Sequence, residues 1–153
     1  MLVLIPCSEG RNFHPDLLSS IRRQTVPCEI VVMVHGDGTR QGEVECRRLC
    51  QRYAYGDIVV MMDSDRPLTG PNDIHDMMHC LIDSGLDAVA LNSKPKDTRK
   101  RKADNHVEIC CVMYRAEALR QIRFEQINGE CLCGCVNNQL DIDYVDNVSA
   151  LGI

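Results

Sequence analysis

Aromatic residues are scarce in this chain: 153 residues include no Trp, two Phe and four Tyr. Proteins that bind single-stranded nucleic acid by stacking need exposed aromatic faces, so the composition argues against that class. The net charge is -5, with 17 basic against 22 acidic residues, so the chain as a whole does not attract polyanions through bulk charge. The sequence therefore predicts no nucleic-acid partner.

Long apolar stretches are also missing. No segment approaches the roughly 18 consecutive apolar residues of a membrane span. The opening residues 1–10 (MLVLIPCSEG) lack the basic start of a secretory signal peptide. The ten cysteines fit a disulfide framework only in a secreted protein, so we expect reduced, mostly buried thiols and a cytoplasmic location.

What is present suffices for one domain over residues 1–153, because 44% of the residues are hydrophobic and 25% are charged. Apolar runs alternate with helical periodicity, which predicts an α/β fold: a mostly parallel, Rossmann-like sheet with helices on both faces. The run Ile30–Val34 is almost entirely apolar, which predicts a strand covered on both faces. The predicted strands are six apolar runs: Leu2–Ile5 (closed by Pro6), Ile30–Val34, Ile58–Met62, Ala88–Leu91, Val107–Tyr114 and Ile142–Val148.

The sharpest polar motif is Asp63-Ser64-Asp65, which follows the apolar run Ile58–Met62 directly. In open parallel sheets, ligands bind beyond the carboxyl ends of the strands. Two carboxylates one residue apart offer the oxygen ligands that Mg²⁺ and Mn²⁺ prefer, and such an ion neutralises a diphosphate leaving group. A plain polar turn is the alternative interpretation of the same residues.

Several motifs occur along the chain in a recognisable order. Residues 56–65 (GDIVVMMDSD) match a G-D-x-[IV]-x-x-x-D-x-D strand, and this is the specific match. Residues 18–25 (LSSIRRQT) are similar to an L-x-S-[LI]-x-x-Q-T helix, and 29–34 (EIVVMV) with 37–39 (DGT) to an E-I-I-V-V-D-D-G-S segment. Shorter similarities lie at Ile5-Pro6, Asn12, Arg47, 114–119 and Phe124. In this order the motifs resemble the GT-A glycosyltransferases, above all the family 2 type, over nearly the whole chain.

The resemblance implies metal-dependent transfer of a sugar from a nucleotide-diphosphate donor to a hydroxyl acceptor that the sequence does not identify. It implies Mn²⁺ or Mg²⁺ as the cofactor, with Asp63 and Asp65 at the metal and Asp65 as the better candidate for a direct ligand. It places the nucleotide near Asp37. The remaining donor-binding candidates by resemblance are Pro6, Arg47 and Ser64.

The resemblance also makes Glu130 the candidate general base, which takes a proton from the acceptor hydroxyl. The alternative for Glu130 is an acid in the first turn of a helix, where it complements the helix dipole. For Arg47 the alternative is a solvated residue on a helix.

The sequence departs from the family pattern at several positions. Gly36 stands where the family often has an acid, and Cys131 replaces the acid after Glu130. The chain between Thr39 and Gly56 is too short for the usual extra helix and edge strand, and the usual C-terminal acceptor region has no counterpart. Three alternatives remain open: a minimal catalytic domain, a catalytic domain that depends on a partner, and a non-catalytic nucleotide- or partner-binding module with the same fold. An uncovered sheet edge would also be consistent with a homodimer.

Nucleotidyl transfer, which makes nucleotide sugars on a related fold, is a second enzymatic alternative. It normally uses a Gly/Arg-rich phosphate loop that ends in Lys after the first strand. Residues 7–11 (CSEGR) supply one Gly, one Arg and no Lys, so this alternative ranks lower.

One cationic segment lies on an otherwise acidic chain. Lys94–Lys102 (KPKDTRKRK) holds six basic residues and one acid. Such a segment is suited to a phosphate group or to peripheral contact with an anionic membrane surface. A solvated loop is the alternative.

Two further groups have metal-ligating side chains. Cys131, Cys133 and Cys135 are spaced so that a helix would point Cys133 away from the other two, which favours ordinary thiols over a zinc site. His75 and His79 are four residues apart, a spacing that can bind a metal on a helix. A solvent-facing histidine pair is the favoured interpretation.

Overall fold

A computed structural model describes residues 1–7, 9–10, 13–36, 39–92, 109–124 and 142–146. Within these residues the elements, in chain order, are β1 (Leu2–Cys7), α1 (Leu17–Arg22), β2 (Glu29–Val34), α2 (Arg40–Tyr53), β3 (Ile58–Met62), α3 (Asp73–Ser84), β4 (Ala88–Asn92), β5 (Ile109–Arg115), α4 (Ala116–Gln121) and β6 (Ile142–Asp146).

The described strands form one sheet in the order β2-β1-β3-β5-β4-β6. β1 pairs in parallel with β2 and β3, and β4 pairs in parallel with β6. β5 runs antiparallel to both of its neighbours, β3 and β4. The predicted α/β fold with a mostly parallel sheet is confirmed.

Helices cover both faces of this sheet, as predicted. On one face α2 and α4 pack against Leu4, Val59 and Met61. On the other face α1 and α3 pack against Val3 and Val60, among others. Successive residues of a strand point to opposite faces, so β1 and β3 are apolar at consecutive positions because both of their faces are buried.

β2 contradicts the prediction that it is covered on both faces. It lies at the edge of the described sheet, with Val32 38% and Val34 65% exposed. The described chain passes from β2 into α2 without another strand beyond β2. The prediction was wrong because an apolar run indicates a strand but does not fix the place of that strand in the sheet.

β1 extends further than predicted, since it continues through Pro6 to Cys7. Proline lacks the N–H that a central strand donates to its neighbour. Pro6 is accommodated because β3 pairs only with Leu2–Leu4, so Pro6 lies beyond that pairing and opposite Met33 of β2.

The reduced state of the thiols stays a prediction. Among the described residues, six cysteines form no disulfide: Cys7, Cys46, Cys50 and Cys111 are buried, and Cys28 and Cys80 are partly buried. None of the described helices is long and apolar enough to cross a bilayer. The cytoplasmic location and the single-domain organisation over residues 1–153 stay predictions.

Candidate functional site

The strand order reverses direction at β1. The chain leads from β1 to β2 on one side, and then crosses to β3 on the other side of β1. Ligands of open α/β sheets bind at such reversals, beyond the carboxyl ends of the strands. Asp63 follows Met62, the last residue of β3, so the structure puts the predicted Asp-Ser-Asp motif at this reversal.

Asp63 forms an ion pair with Arg47 of α2. Side chains alternate along a strand, so Asp63 lies on the same face as Met61, which is the face that α2 covers. Arg47 Nη2 donates to Asp63 Oδ1 at 2.8 Å, and Arg47 Nη1 lies 3.5 Å from Met61 Sδ. The two side chains are 20% and 33% exposed. Arg47 is therefore not the solvated helix residue that was the alternative.

The electrostatic balance around Arg47 favours its charge. Burial disfavours the charged guanidinium, but the attraction of Asp63 and the hydrogen bond to it outweigh burial and raise the pKa of Arg47. Tyr114 of β5 is buried nearby, and burial raises the pKa of its phenol. The charged guanidinium of Arg47 therefore faces Asp63, and the neutral phenol of Tyr114 lies close by.

Ser64 and Asp65 have different surroundings from Asp63. The Ser64 side chain is buried, and the Ser64 carbonyl accepts a hydrogen bond from the His14 backbone N–H at 2.8 Å. Asp65 is exposed. Asp65 is therefore accessible to an ion from solvent, whereas Ser64 joins the motif to the segment before α1.

The loop after the motif is held to α1 by buried side chains. Gln24 Nε2 donates to the Gly70 carbonyl at 2.7 Å and to the Ser20 carbonyl at 3.2 Å. Gln24 Oε1 accepts from the Ile74 N–H at 3.0 Å. Ser20 Oγ accepts from the Leu68 N–H at 3.0 Å. One amide and one hydroxyl thus bind backbone groups that span the loop.

Two further contacts complete the attachment. The Thr25 N–H donates to the Pro71 carbonyl at 2.9 Å, and Thr25 Oγ1 donates to Asn72 Oδ1 at 3.0 Å. At the start of α3, buried Asp73 accepts from the backbone N–H groups of Thr69 and Gly70. We call these contacts between Ser20, Gln24 and Thr25 on one side and residues 68–74 on the other the loop clamp.

Sequence reasoning noted residues 18–25 as a motif but missed what they do. In the structure, Ser20, Gln24 and Thr25 of that motif position the loop that follows Asp65. The sequence does indicate that Ser20 and Gln24 are buried, because helical spacing puts them on the same face as Leu17 and Ile21. Polar residues on a buried face need hydrogen-bond partners.

Gly36 lies where a side chain would clash with α2. It has φ +83, and a Cβ at this position would lie 2.5 Å from the Cα of Gly42 in α2. No side chain fits there unless the backbone moves. Its carbonyl accepts from the Glu9 N–H at 3.1 Å, which joins the loops that follow β1 and β2.

Several predicted residues lie outside the described part of the chain: Asp37, Glu130, the segment Lys94–Lys102, and the cysteines 131, 133 and 135. Their roles stay predictions. Pro6 is described and lies near the carboxyl end of β1, half-buried.

The described residues contain no group of three or more His, Cys, Asp or Glu side chains arranged to hold a metal. Mg²⁺ in nucleotide sites commonly takes one or two protein carboxylates, with phosphate oxygens and waters completing the shell. Exposed Asp65 and partly exposed Asp63 fit that kind of site.

Comparisons with known proteins give no match to any protein-family model or to any curated protein. Solved structures do match. A mannosyltransferase from Pyrobaculum calidifontis in complex with GDP-Man and Mn²⁺ superimposes with a TM-score of 0.72 and 16% identity over 96% of this chain. TarS of S. aureus superimposes with a TM-score of 0.66 and 16% identity over 95% of it. This chain has a GT-A-type fold.

A further solved structure matches less closely in shape. CMP:2-keto-3-deoxy-manno-octonic acid synthetase in complex with CTP gives a TM-score of 0.55 and 13% identity over 95% of this chain. The chain spans 35% of TarS and 55% of the mannosyltransferase. At these identities the likeness shows a common fold.

Proposed function

We propose that this chain transfers a sugar from a nucleotide-diphosphate donor to a hydroxyl acceptor, with Mn²⁺ or Mg²⁺ as cofactor. The observation that carries the proposal is the position of Asp63 and Asp65 at the strand-order reversal of a GT-A-type fold. The mannosyltransferase neighbour is bound to GDP-Man and Mn²⁺, and TarS is known in complex with UDP. These ligands are of the class proposed for this chain.

Asp65 would hold the ion directly, and Asp63 would support it through its second oxygen. When bound, a divalent cation supplies positive charge that stabilises a departing diphosphate. Exposed Asp65 can meet an ion that arrives together with the nucleotide. Phosphate oxygens and waters would supply the ligands that the two carboxylates do not.

Arg47 would contribute the protein's own positive charge at the diphosphate. A guanidinium carries five N–H donors, and the described contacts of Arg47 engage one with Asp63 and direct one toward a weakly accepting sulfur. The other donors suit phosphate oxygens, which guanidinium groups bind well. Arg47 also holds the carboxylate of Asp63 in one orientation.

The reaction forms a bond between the acceptor oxygen and the anomeric carbon while the bond from that carbon to the diphosphate oxygen breaks. The electron pair of the broken bond leaves with the diphosphate, and the proton of the acceptor hydroxyl passes to a base. We propose Glu130 as that base on the resemblance alone, and Glu130→Gln should abolish transfer but leave donor binding intact.

Donor binding tests the proposal most directly. In a thermal-shift panel, UDP, GDP and CDP are each added with and without Mn²⁺. A nucleotide at 100 times its Kd stabilises the folded state by about 2.7 kcal/mol, which a rise in Tm reports. Because the proposed site binds the diphosphate through the ion, we expect one nucleotide to raise Tm only when Mn²⁺ is present. Asp65→Asn should remove the Mn²⁺-dependent part of the shift.

Asp57→Asn is the matched control, because Asp57 is an exposed acid just before β3, at the opposite end of that strand from Asp63 and Asp65. It should leave the shift unchanged. If Asp65→Asn binds each nucleotide with Mn²⁺ as well as the unaltered chain does, the proposed metal site is wrong.

The same preparation separates the alternatives. Nucleotidyl transfer would consume a nucleoside triphosphate and a sugar and release pyrophosphate, whereas glycosyl transfer consumes a nucleotide sugar and releases a nucleoside diphosphate. Mn²⁺-dependent binding without either turnover would favour the non-catalytic module. Because the synthetase neighbour is bound to CTP, the experiment includes an assay with nucleoside triphosphates.

A further inference from the structure

α3 holds two histidines whose rings are close together. His75 and His79 are one helical turn apart, and their ring centroids are separated by 4.4 Å with an angle of 53° between the ring planes. The His75 side chain is 45% exposed, and His79 is exposed. The pair is therefore open to solvent, and the glycosyl-transfer proposal does not use it.

The spacing of the two rings suits a shared ion. A late first-row divalent ion lies about 2.0–2.1 Å from an imidazole nitrogen, so two imidazoles on one ion have centroids roughly 4.5 Å apart at a ligand angle of about 90° and roughly 5.2 Å apart in a tetrahedral site. The observed 4.4 Å matches the arrangement at about 90° of a square-planar or octahedral ion. Stacking alone is the competing explanation for this distance.

Asp76 adds an observation that stacking does not require. His75 Nδ1 lies 3.1 Å from Asp76 Oδ1. An ionised carboxylate can only accept, so in the neutral ring the proton is on Nδ1 and the lone pair is on Nε2. Metal-binding histidines are commonly fixed in this way, by a carboxylate that accepts from the nitrogen not bound to the metal.

The charge of α3 also favours a cation. The helix carries Asp73, Asp76 and Asp83 and no Lys or Arg. Asp73 is occupied with the loop clamp, which leaves Asp76 and Asp83 as the acids near the pair on the helix itself. Nearby anionic groups increase the local concentration of cations.

We propose that His75 and His79 form a second metal site, for a late first-row divalent cation with ligand angles of about 90° such as Ni²⁺ or Cu²⁺, with water in the remaining positions. Imidazole pairs prefer these ions to Mn²⁺. Asp76 acts as the residue that fixes the His75 tautomer. The site is separate from Asp63 and Asp65 in both position and ligand chemistry.

Ni²⁺ titration of the full chain tests the site, because Ni²⁺ is paramagnetic and broadens the ring signals of the histidines that bind it. Signals of His75 and His79 should broaden first in NMR spectra. Calorimetry should show Ni²⁺ affinity falling at least about tenfold in His79→Gln, and about tenfold in Asp76→Asn. His35→Gln, which alters another exposed histidine, should leave the affinity unchanged.

Equal Ni²⁺ affinity in the unaltered chain and in His79→Gln would overturn the proposal, as would broadening that spares both rings. Binding that responds only to a cysteine substitution would assign the ion to the thiols and also overturn it. The Mn²⁺-dependent nucleotide shift should be the same in His79→Gln as in the unaltered chain, so this site and the proposed transferase site can fail independently.

Discussion

The two faces of the sheet contribute differently to the candidate site. On the α1 and α3 face, the loop after Asp65 is attached by hydrogen bonds from buried side chains to backbone groups. On the α2 face, the described contact with the motif is an ion pair between two partly exposed side chains, Arg47 and Asp63.

The two kinds of contact have different effects: one fixes the shape of the loop, and the other supplies charge. Hydrogen bonds to backbone fix the loop's shape, and leaving such a buried group unsatisfied costs roughly 1–3 kcal/mol. A partly exposed ion pair adds little to stability, about 0–1 kcal/mol, but it can present charge to a ligand. One face should therefore govern folding and loop position, and the other should govern ligand affinity.

Gln24→Leu should give the largest effect on stability. It removes an amide that satisfies the Gly70 carbonyl and the Ile74 N–H, so the free energy of unfolding should fall by about 2–4 kcal/mol. Urea denaturation measures this change. Gln41→Leu, at an exposed position of α2, should change it by less than about 0.5 kcal/mol.

A small loss in Gln24→Leu, equal to that of Gln41→Leu, would mean that the clamp does not hold the loop. In a folded Gln24→Leu protein, Mn²⁺-dependent nucleotide binding should weaken, because the loop beside Asp65 is no longer fixed.

Gly36→Ala tests the contact between the β2 loop and α2. The substitution combines an unfavourable positive φ with a 2.5 Å approach to Gly42, and it should cost about 2–3 kcal/mol. Gly56→Ala has the same φ of +83 but no atom within 4 Å, so it should cost about 1–2 kcal/mol. Equal losses in thermal or urea unfolding would show that backbone strain alone, and not the contact, fixes glycine at position 36.

Arg47→Gln should show the opposite pattern to the one expected for Gln24→Leu. The free energy of unfolding should change by less than about 1 kcal/mol, whereas donor affinity should fall about tenfold or more, since a hydrogen bond to a charged group is worth roughly 1.5–3 kcal/mol. Calorimetry with the nucleotide and Mn²⁺ measures the affinity.

Arg48→Gln, the neighbouring substitution on the same helix, should bind as the unaltered chain does. If Arg47→Gln kept normal donor affinity but lost much stability, the contact of α2 with Asp63 would stabilise the fold, as the contacts on the α1 and α3 face do, and would not bind the donor.

Val34→Thr should have the smallest effect, because Val34 is 65% exposed at the edge strand. We expect a change within about 0.5 kcal/mol. Val3→Thr is the matched core substitution: Val3 is fully buried, and an unpaired buried hydroxyl costs about 1–3 kcal/mol. A comparable loss at Val34 would mean that the β2 edge is covered in solution, and sedimentation would then show whether the predicted homodimer covers it.

Much of the fold followed from local patterns. The alternation of apolar runs and helical stripes predicted the α/β architecture, and the ends of the run Ile58–Met62 were predicted correctly. The place of β2 was not, because its residues are as apolar as those of a central strand. An edge position depends on which strands the rest of the chain supplies.

In the candidate site, too, the local motif was predictable from the sequence and the contacts between distant residues were not. The motif at residues 63–65 was visible because it follows a strand directly in the sequence. The partner of Asp63 and the role of Gln24 were not visible, since Arg47 is 16 residues away and Gly70 is 46 residues away from Gln24.

By itself, the sequence determined the type of each main element and the presence of two acids at a strand end, because side-chain periodicity and short motifs act over neighbouring residues. Only the tertiary structure decided which strand forms the edge, which cation faces Asp63 and which amide holds the loop. These depend on the order of strands in the sheet and on helices crossing its faces, and those arrangements are fixed by packing between residues far apart in the chain.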